Sequence, residues 1–128
     1  MTPRRVFVVD DEPVIAGTLV EILRRNGYDA IPFISAEDAI NSAKSLPPDL
    51  LLSDVVMPGM SGLKLALHFK QTYPDCRILL LSGQAATMDL LKEARLRGYD
   101  FELLAKPIHP TDLLKQIMRG VSREPRAA

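Results

Sequence analysis

The chain has 128 residues, of which 47% are hydrophobic and 25% are charged, as in one ordinary globular domain with a core of its own. Its 16 basic and 16 acidic residues balance, so no overall field favours nucleic acid or an anionic membrane. The single cysteine, Cys76, excludes an intramolecular disulfide, and with no signal-peptide or membrane-spanning pattern we expect a cytoplasmic protein.

Five short apolar segments have the composition of β-strands. They are residues 6–9, 28–33, 50–54, 77–81 and 101–105. The third and fourth are continuously apolar, which is typical of strands covered on both faces. Pro32 lies in the second segment and predicts an edge strand, where a missing backbone N–H is tolerated.

A helix is predicted after each strand. The five helices are expected at about residues 13–26, 35–45, 61–73, 87–97 and 110–121. This alternation predicts an α/β fold, with a parallel (βα)5 sheet, right-handed crossovers and helices on both faces. We assign residues 4–121 to one domain and expect residues 122–128 to be a short, disordered tail.

Polar side chains stand where four of the strands end. Asp10 and Asp11 follow the first strand, Asp54 ends the third, Ser82 follows the fourth and Lys106 follows the fifth. Because the carboxyl ends of parallel strands share one edge of the sheet, and ligands bind there, we expect these residues to meet.

This set of side chains suits phosphoryl transfer. Three crowded carboxylates need a cation, and Mg²⁺ prefers oxygen ligands and keeps several of its waters. Asp54 would attack a phosphoryl donor, while Lys106 and the Ser82 hydroxyl would hold the phosphoryl oxygens. Each residue alone also has an ordinary interpretation: the aspartates as turn or helix-cap residues, Ser82 as a turn residue, and Lys106 as a solvated side chain.

The motifs at the strand ends resemble those of the receiver domain of two-component response regulators. They are residues 8–12, 54–62, 81–83 and 106–107, in the order and spacing of that family. The resemblance extends over about residues 4–119, nearly the whole chain. It implies a flavodoxin-like, doubly wound sheet with strand order 2-1-3-4-5.

The resemblance also implies roles for individual residues. Asp54 would be the phosphoacceptor, and Mg²⁺ would be held by Asp10, Asp11, Asp54 and the main-chain carbonyl of Val56. Lys106 would be the active-site lysine before a cis Lys-Pro bond, and Ser82 would carry the switch hydroxyl.

One switch position departs from the family pattern. Receivers with an aromatic switch carry Tyr or Phe three residues before the lysine, where this chain has Leu103. Phe101, two residues earlier on the same strand face, is interpreted as a core or rim residue. Val56 and Gln84 occupy positions expected to influence the dephosphorylation rate, and activation is expected to reorganise the loop at residues 82–87.

The sequence therefore predicts a stand-alone receiver, or one excised from a hybrid kinase or regulator. A histidine kinase or histidine phosphotransfer protein would phosphorylate it, and an effector protein or a second copy would read the fourth helix, fifth strand and fifth helix. We expect no direct contact with nucleic acid or membrane, and no enzymatic activity beyond its own phosphorylation and dephosphorylation.

The alternatives are an Asp-nucleophile phosphatase or phosphotransferase, which would need an acid at Val56, and a non-phosphorylated pseudo-receiver. A Rossmann-type nucleotide binder is disfavoured because no glycine-rich loop follows the first strand.

Overall fold

A computed structural model describes residues 4–83 and 87–123 of the chain. Within these residues five strands alternate with five helices, as the sequence predicts. In chain order the elements are β1 (Arg5–Val9), α1 (Pro13–Arg25), β2 (Asp29–Phe33), α2 (Ala36–Ala43), β3 (Leu50–Asp54), α3 (Gly62–Thr72), β4 (Arg77–Ser82), α4 (Thr87–Leu96), β5 (Glu102–Ala105) and α5 (Pro110–Arg123).

The strands form one parallel sheet in the order β2-β1-β3-β4-β5, which confirms the predicted fold class and strand order. The edge position of β2 agrees with the presence of Pro32 in it. All strands point the same way, so their carboxyl ends lie along one edge of the sheet. We call this the carboxyl edge. The opposite edge, where the strands begin near Arg77 and Glu102, we call the amino edge.

The strand register brings the ends of β1, β3 and β5 close together at the carboxyl edge. Val9 of β1 lies beside Ser53 of β3, so Asp10 follows directly next to Asp54. Ser82 at the end of β4 pairs with Ala105 of β5, which places Lys106 just beyond the end of β4. Lys106 can therefore reach across β4 toward β3.

Two apolar cores cover the two faces of the sheet, and β3 contributes to both. Leu51 packs into the core that includes buried residues of α2, α3 and α4, whereas Leu50 and Leu52 pack with α1 and α5. All five residues of β3 are buried, as its continuous apolar run predicts. Full burial of each leucine contributes about 1.5–3 kcal/mol, so the strand that carries Asp54 is firmly held.

Serine caps fix the starts of two helices. Ser35 Oγ accepts a hydrogen bond from the Asp38 N–H at 3.2 Å at the start of α2, and Ser61 Oγ accepts one from the Lys64 N–H at 3.2 Å at the start of α3. At the end of α1, Gly27 has φ +90°, a conformation that favours glycine after a helix.

Two strands begin one residue later than predicted. The Tyr28 N–H donates to the Leu23 carbonyl at 3.1 Å, so Tyr28 belongs to the turn that closes α1. Phe101 stacks on Tyr99, with ring centroids 5.9 Å apart, before β5 starts at Glu102. Helix α5 continues to Arg123, and the rest of the predicted tail lies outside the described residues.

Candidate functional site

Asp54 is the last residue of β3, and its backbone is fixed from two sides. The next N–H, of Val55, donates to the Leu81 carbonyl of β4 at 3.1 Å. The buried Ser53 hydroxyl donates to the Asp54 carbonyl at 3.0 Å. The Asp54 side chain is only 12% exposed, so the carboxylate lies in a recess at the carboxyl edge.

Asp10 and Asp11 follow β1, and Asp10 is completely buried. Asp10 Oδ1 accepts a hydrogen bond from the Glu12 N–H at 3.0 Å, whereas no hydrogen-bond partner of Asp10 Oδ2 is found among the described residues. A fully buried carboxylate oxygen without a hydrogen bond is unusual in a stable fold. The N-cap residue of α1 is Glu12, which makes no side-chain capping bond, so neither aspartate is the N-cap of this helix.

Lys106 joins the two buried carboxylates. Its Nζ lies 3.1 Å from Asp54 Oδ2 and 3.6 Å from Asp10 Oδ2. Its backbone N–H donates to the Ser82 carbonyl at 2.8 Å, which anchors the end of β5 to the end of β4. The Lys106–Pro107 peptide bond is cis, as the family resemblance implies.

The site is electrostatically unbalanced. Burial raises the pKa of the Asp54 carboxyl above its usual value; the hydrogen bond and charge of Lys106 oppose this rise, and the Asp10 carboxylate adds to it. Burial alone would lower the pKa of the Lys106 ammonium, but Asp54 and Asp10 outweigh burial, so this pKa is raised. One ammonium thus faces more negative charge than it can neutralise.

Asp10, Asp11 and Asp54 form a cluster that could hold a metal ion. One carboxylate oxygen of each lies within 4.8 Å of the others. Because Asp10 Oδ2 is buried without a hydrogen bond, a cation bound between the three side chains would satisfy it. The all-oxygen donor set is the kind that Mg²⁺ prefers.

The other predicted site residues lie at or near the carboxyl edge. Val56 directly follows the Asp54–Val55 turn, and its side chain is 47% exposed. Ser82 is the half-buried last residue of β4 and lies beside Ala105 of β5. Leu103 lies opposite Leu80, packed against the same core as Phe101, which agrees with the predicted shared face. Gln84 lies outside the described residues.

Sequence reasoning missed two residues beside Asp54. Ser53 is a buried polar residue within an apolar strand, and that isolated polarity was the available signal. Gly62 starts α3 against the backbone of Asp54 and Val55. Its signal was a glycine directly after a good N-cap serine, where most other residues would favour the helix more.

A family model described as the response regulator receiver domain matches residues 6–118. The response regulator receiver protein CpdR of Brucella abortus is 32% identical over 114 residues, which are 89% of this chain and 93% of that protein. The DNA-binding response regulator MtrA of Mycolicibacterium smegmatis is 29% identical over 120 residues, 94% of this chain. The chain spans nearly all of CpdR but only 51% of MtrA.

Solved structures give the same fold. A structure of a protein from Neptuniibacter caesariensis matches with a TM-score of 0.83 and 31% identity, covering 93% of this chain and 87% of that one. A CheY-like receiver domain protein from Methanospirillum hungatei matches with a TM-score of 0.84, covering 98% of both chains. At 22% identity the latter likeness concerns the fold alone. In the part of the chain that the structure describes, no helix combines the length and apolar character needed to cross a membrane.

Proposed function

The chain belongs to the response regulator receiver family, and from this premise we propose that Asp54 accepts a phosphoryl group from a phosphohistidine donor in a Mg²⁺-dependent reaction. The observation that carries the proposal is the contact of Lys106 Nζ with Asp54 Oδ2 at 3.1 Å, beside a buried Asp10 oxygen that lacks a hydrogen bond. A nucleophile, a cationic group and a second buried carboxylate thus converge at one edge of the sheet.

Mg²⁺ would be held by the carboxylates of Asp10, Asp11 and Asp54 and by the main-chain carbonyl of Val56. The short distances within the acidic cluster and the orphaned Asp10 oxygen support this assignment. When bound, the ion would neutralise charge on the phosphoryl oxygens and favour the ionised form of Asp54.

The chain's own residues would carry the transfer itself. An Asp54 carboxylate oxygen attacks the phosphorus of the donor, the new P–O bond forms, and the P–N bond to the donor imidazole breaks. Lys106, already within reach of Asp54, turns to a phosphoryl oxygen, and the Ser82 hydroxyl donates to another. Hydrolysis later returns the carboxylate: water attacks the phosphorus, the acyl phosphate P–O bond breaks, and inorganic phosphate leaves.

Phosphorylation would change the surface read by a partner. The added charge draws Ser82 and Lys106 toward Asp54, and the backbone bond from Lys106 to Ser82 moves the ends of β4 and β5 together. Because Leu103 has no ring or hydroxyl, this coupling would run through packing and backbone. The expected reorganisation of residues 82–87 falls partly outside the described residues.

The proposed donors are a histidine kinase or a histidine phosphotransfer protein, and the reader is an effector protein or a second copy. We assign the reader to the surface of α4, β5 and α5, where α4 carries the exposed apolar side chain of Leu96. We propose a cytoplasmic location, with which a chain holding a single cysteine is compatible. Direct binding of nucleic acid is not part of the proposal, because the net charge is zero.

The chain would catalyse only its own phosphorylation and dephosphorylation. A phosphatase that turns over phosphate esters needs an acid–base group near the nucleophile, and the candidate position holds Val56. Sustained release of phosphate from an ester substrate would favour that alternative. A pseudo-receiver that only binds partners would take up no phosphoryl group at all.

Acetyl phosphate with Mg²⁺, followed by intact-mass measurement, tests the proposal. The native chain should gain one phosphoryl group and Asp54→Ala should gain none. Asp75→Ala removes an exposed aspartate near the amino edge and should behave as the native chain does. A native chain that stays unmodified, or an Asp54→Ala chain modified to the same extent, would contradict the proposal.

A further inference from the structure

Gly62 fits against the backbone of the proposed phosphoacceptor so closely that no side chain has room there. A Cβ built on Gly62 would overlap the Asp54 carbonyl oxygen and would lie 2.8 Å from the Asp54 carbonyl carbon and 2.9 Å from the Val55 Cα. These atoms are backbone at the end of a buried strand, so they cannot move aside as a flexible side chain would.

Space, and not backbone conformation, is the reason for glycine at this position. The glycines with positive φ among the described residues are Gly27, Gly59 and Gly98, so Gly62 has a conformation open to any residue. Gly62 is the first residue of α3, where many residues would stabilise the helix better than glycine. Close approach to Asp54 and Val55 is therefore the feature that requires it.

Two hydrogen bonds hold α3 in this position. The Gly62 N–H donates to the Val55 carbonyl at 2.8 Å, and Ser61 Oγ accepts from the Lys64 N–H. The loop between Val55 and Ser61 is thus closed at its base by the start of α3. Val56 is the first loop residue beyond this closure, and its backbone N–H interacts with the Asp54 carboxylate.

We infer that Gly62 is a positioning residue: its missing side chain lets α3 close the loop so that the Val56 backbone and the Asp54 carboxylate face the same Mg²⁺. The inference rests on the proposed function, because it assigns the Val56 carbonyl to the metal. A Cβ at position 62 would push α3 and β3 apart and turn the Val56 peptide away from the acidic cluster.

The test is the affinity of the unphosphorylated chain for Mg²⁺, measured by isothermal titration calorimetry. Gly62→Ala should weaken binding by about tenfold or more, the usual result when a residue that orients a metal ligand is changed. Gly17→Ala is the matched control, because a Cβ at Gly17 meets nothing within 4 Å and its φ is not positive. It should bind Mg²⁺ with native affinity.

A purely structural role predicts a different result. In that case Gly62→Ala would unfold more easily, but its folded form would bind Mg²⁺ as tightly as the native chain. Urea unfolding measures the loss of stability. Mg²⁺ titration of the folded variant, at urea concentrations well below the unfolding midpoint, measures the affinity. Native affinity in the folded variant would overturn the inference.

A second pair of variants applies even if Gly62→Ala does not fold. Ser61→Ala removes the cap of α3 and Ser35→Ala removes the cap of α2, and both caps have the same 3.2 Å bond. The two variants should lose a similar amount of stability, because helix caps contribute comparably. Ser61→Ala should weaken Mg²⁺ binding about two- to fivefold, whereas Ser35→Ala should not weaken it. Equal affinities in the two variants would overturn the inference. A native chain that binds no Mg²⁺ would instead refute the proposed function.

Discussion

The two edges of the sheet each carry a cluster of charged side chains, and the clusters are built differently. At the amino edge, Arg77 makes two 2.7 Å bonds to Glu102 and donates to the main-chain carbonyls of Gln116 and Ile117. Gln116 also donates to Glu102 at 3.1 Å. This network joins the starts of β4 and β5 to α5 and provides each charge with a partner.

The carboxyl edge lacks this balance. Three carboxylates gather within 4.8 Å, Lys106 is the ammonium that contacts two of them, and a buried oxygen of Asp10 has no hydrogen bond. A buried polar group that lacks a hydrogen bond costs about 1–3 kcal/mol. The contrast between this edge and the fully paired cluster at the amino edge supports the proposed binding of a cation and a phosphoryl group at the carboxyl edge.

Loss of Lys106 should have the largest effect, and it should act on chemistry. Lys106→Gln removes the ammonium that would hold a phosphoryl oxygen, so transfer from acetyl phosphate should slow by about a hundredfold. The rate is measured by intact mass against time at saturating Mg²⁺. Lys115→Gln, an exposed position on α5, should keep the native rate. A native rate in Lys106→Gln would contradict the proposal that the carboxyl edge serves phosphoryl transfer.

Loss of Arg77 should act on stability instead. Arg77→Ala removes both of its hydrogen bonds to Glu102 and those to two main-chain carbonyls of α5, and we expect about 2–3 kcal/mol less unfolding free energy in urea. Phosphoryl transfer in the folded variant should stay native. Arg95→Ala breaks the exposed pair with Asp100 and should cost less than about 1 kcal/mol. Equal losses in both variants would mean that the amino-edge network is not structural.

Asp10→Asn should show directly how much unfolding free energy the crowded carboxylates cost. The amide can donate to a neighbouring carboxylate and one charge disappears, so without Mg²⁺ the unfolding free energy should rise by about 1 kcal/mol. Mg²⁺ at ten times its dissociation constant should stabilise the native chain by about 1.4 kcal/mol, and the variant much less. Urea unfolding with and without Mg²⁺ measures both. Asp75→Asn is the control, and a variant less stable than native without Mg²⁺ would contradict the account.

The smallest effect concerns alkaline pH near the amino edge. Burial raises the pKa of the Cys76 thiol from 9.0 to about 12. Above pH 9 the unfolded chain loses this proton and the folded chain retains it, so stability falls as pH rises. The fall from this thiol between pH 8 and pH 9.5 should be about 0.8 kcal/mol. Cys76→Ala should lack this part of the slope, while the raised pKa of Tyr28 still contributes. Identical slopes in both chains would contradict the prediction.

Local patterns were sufficient to predict the strands, their parallel direction and the meeting of Asp10, Asp54 and Lys106, whereas the strand order came from the family resemblance. A short apolar run that ends in a polar residue can be recognised from residues adjacent in the sequence. The alternation of strands and helices then implies a parallel sheet, in which the strand ends meet at one edge. The complete burial of Asp10, compared with the half-burial of Asp11, does not follow from two adjacent aspartates. It depends on which side of the strand end each residue faces.

The amino-edge network and the role of Gly62 could not be predicted for the same reason. In the sequence Arg77 is only the charged start of a strand. Its partner Glu102 is 25 residues further along the chain, and Gln116 is another 14 residues beyond Glu102. The overlap at Gly62 involves the backbone of residues seven and eight positions earlier. Only a three-dimensional arrangement shows such contacts.

The most direct test of the central claim is to locate the phosphoryl group on the chain. Borohydride reduces an acyl phosphate to an alcohol, so reduction after acetyl phosphate treatment, followed by peptide mass mapping, marks the modified carboxylate. We expect a single reduced residue, Asp54, which appears only with Mg²⁺. Reduction at another carboxylate, or phosphate retained on a histidine such as His68 or His109, would contradict it.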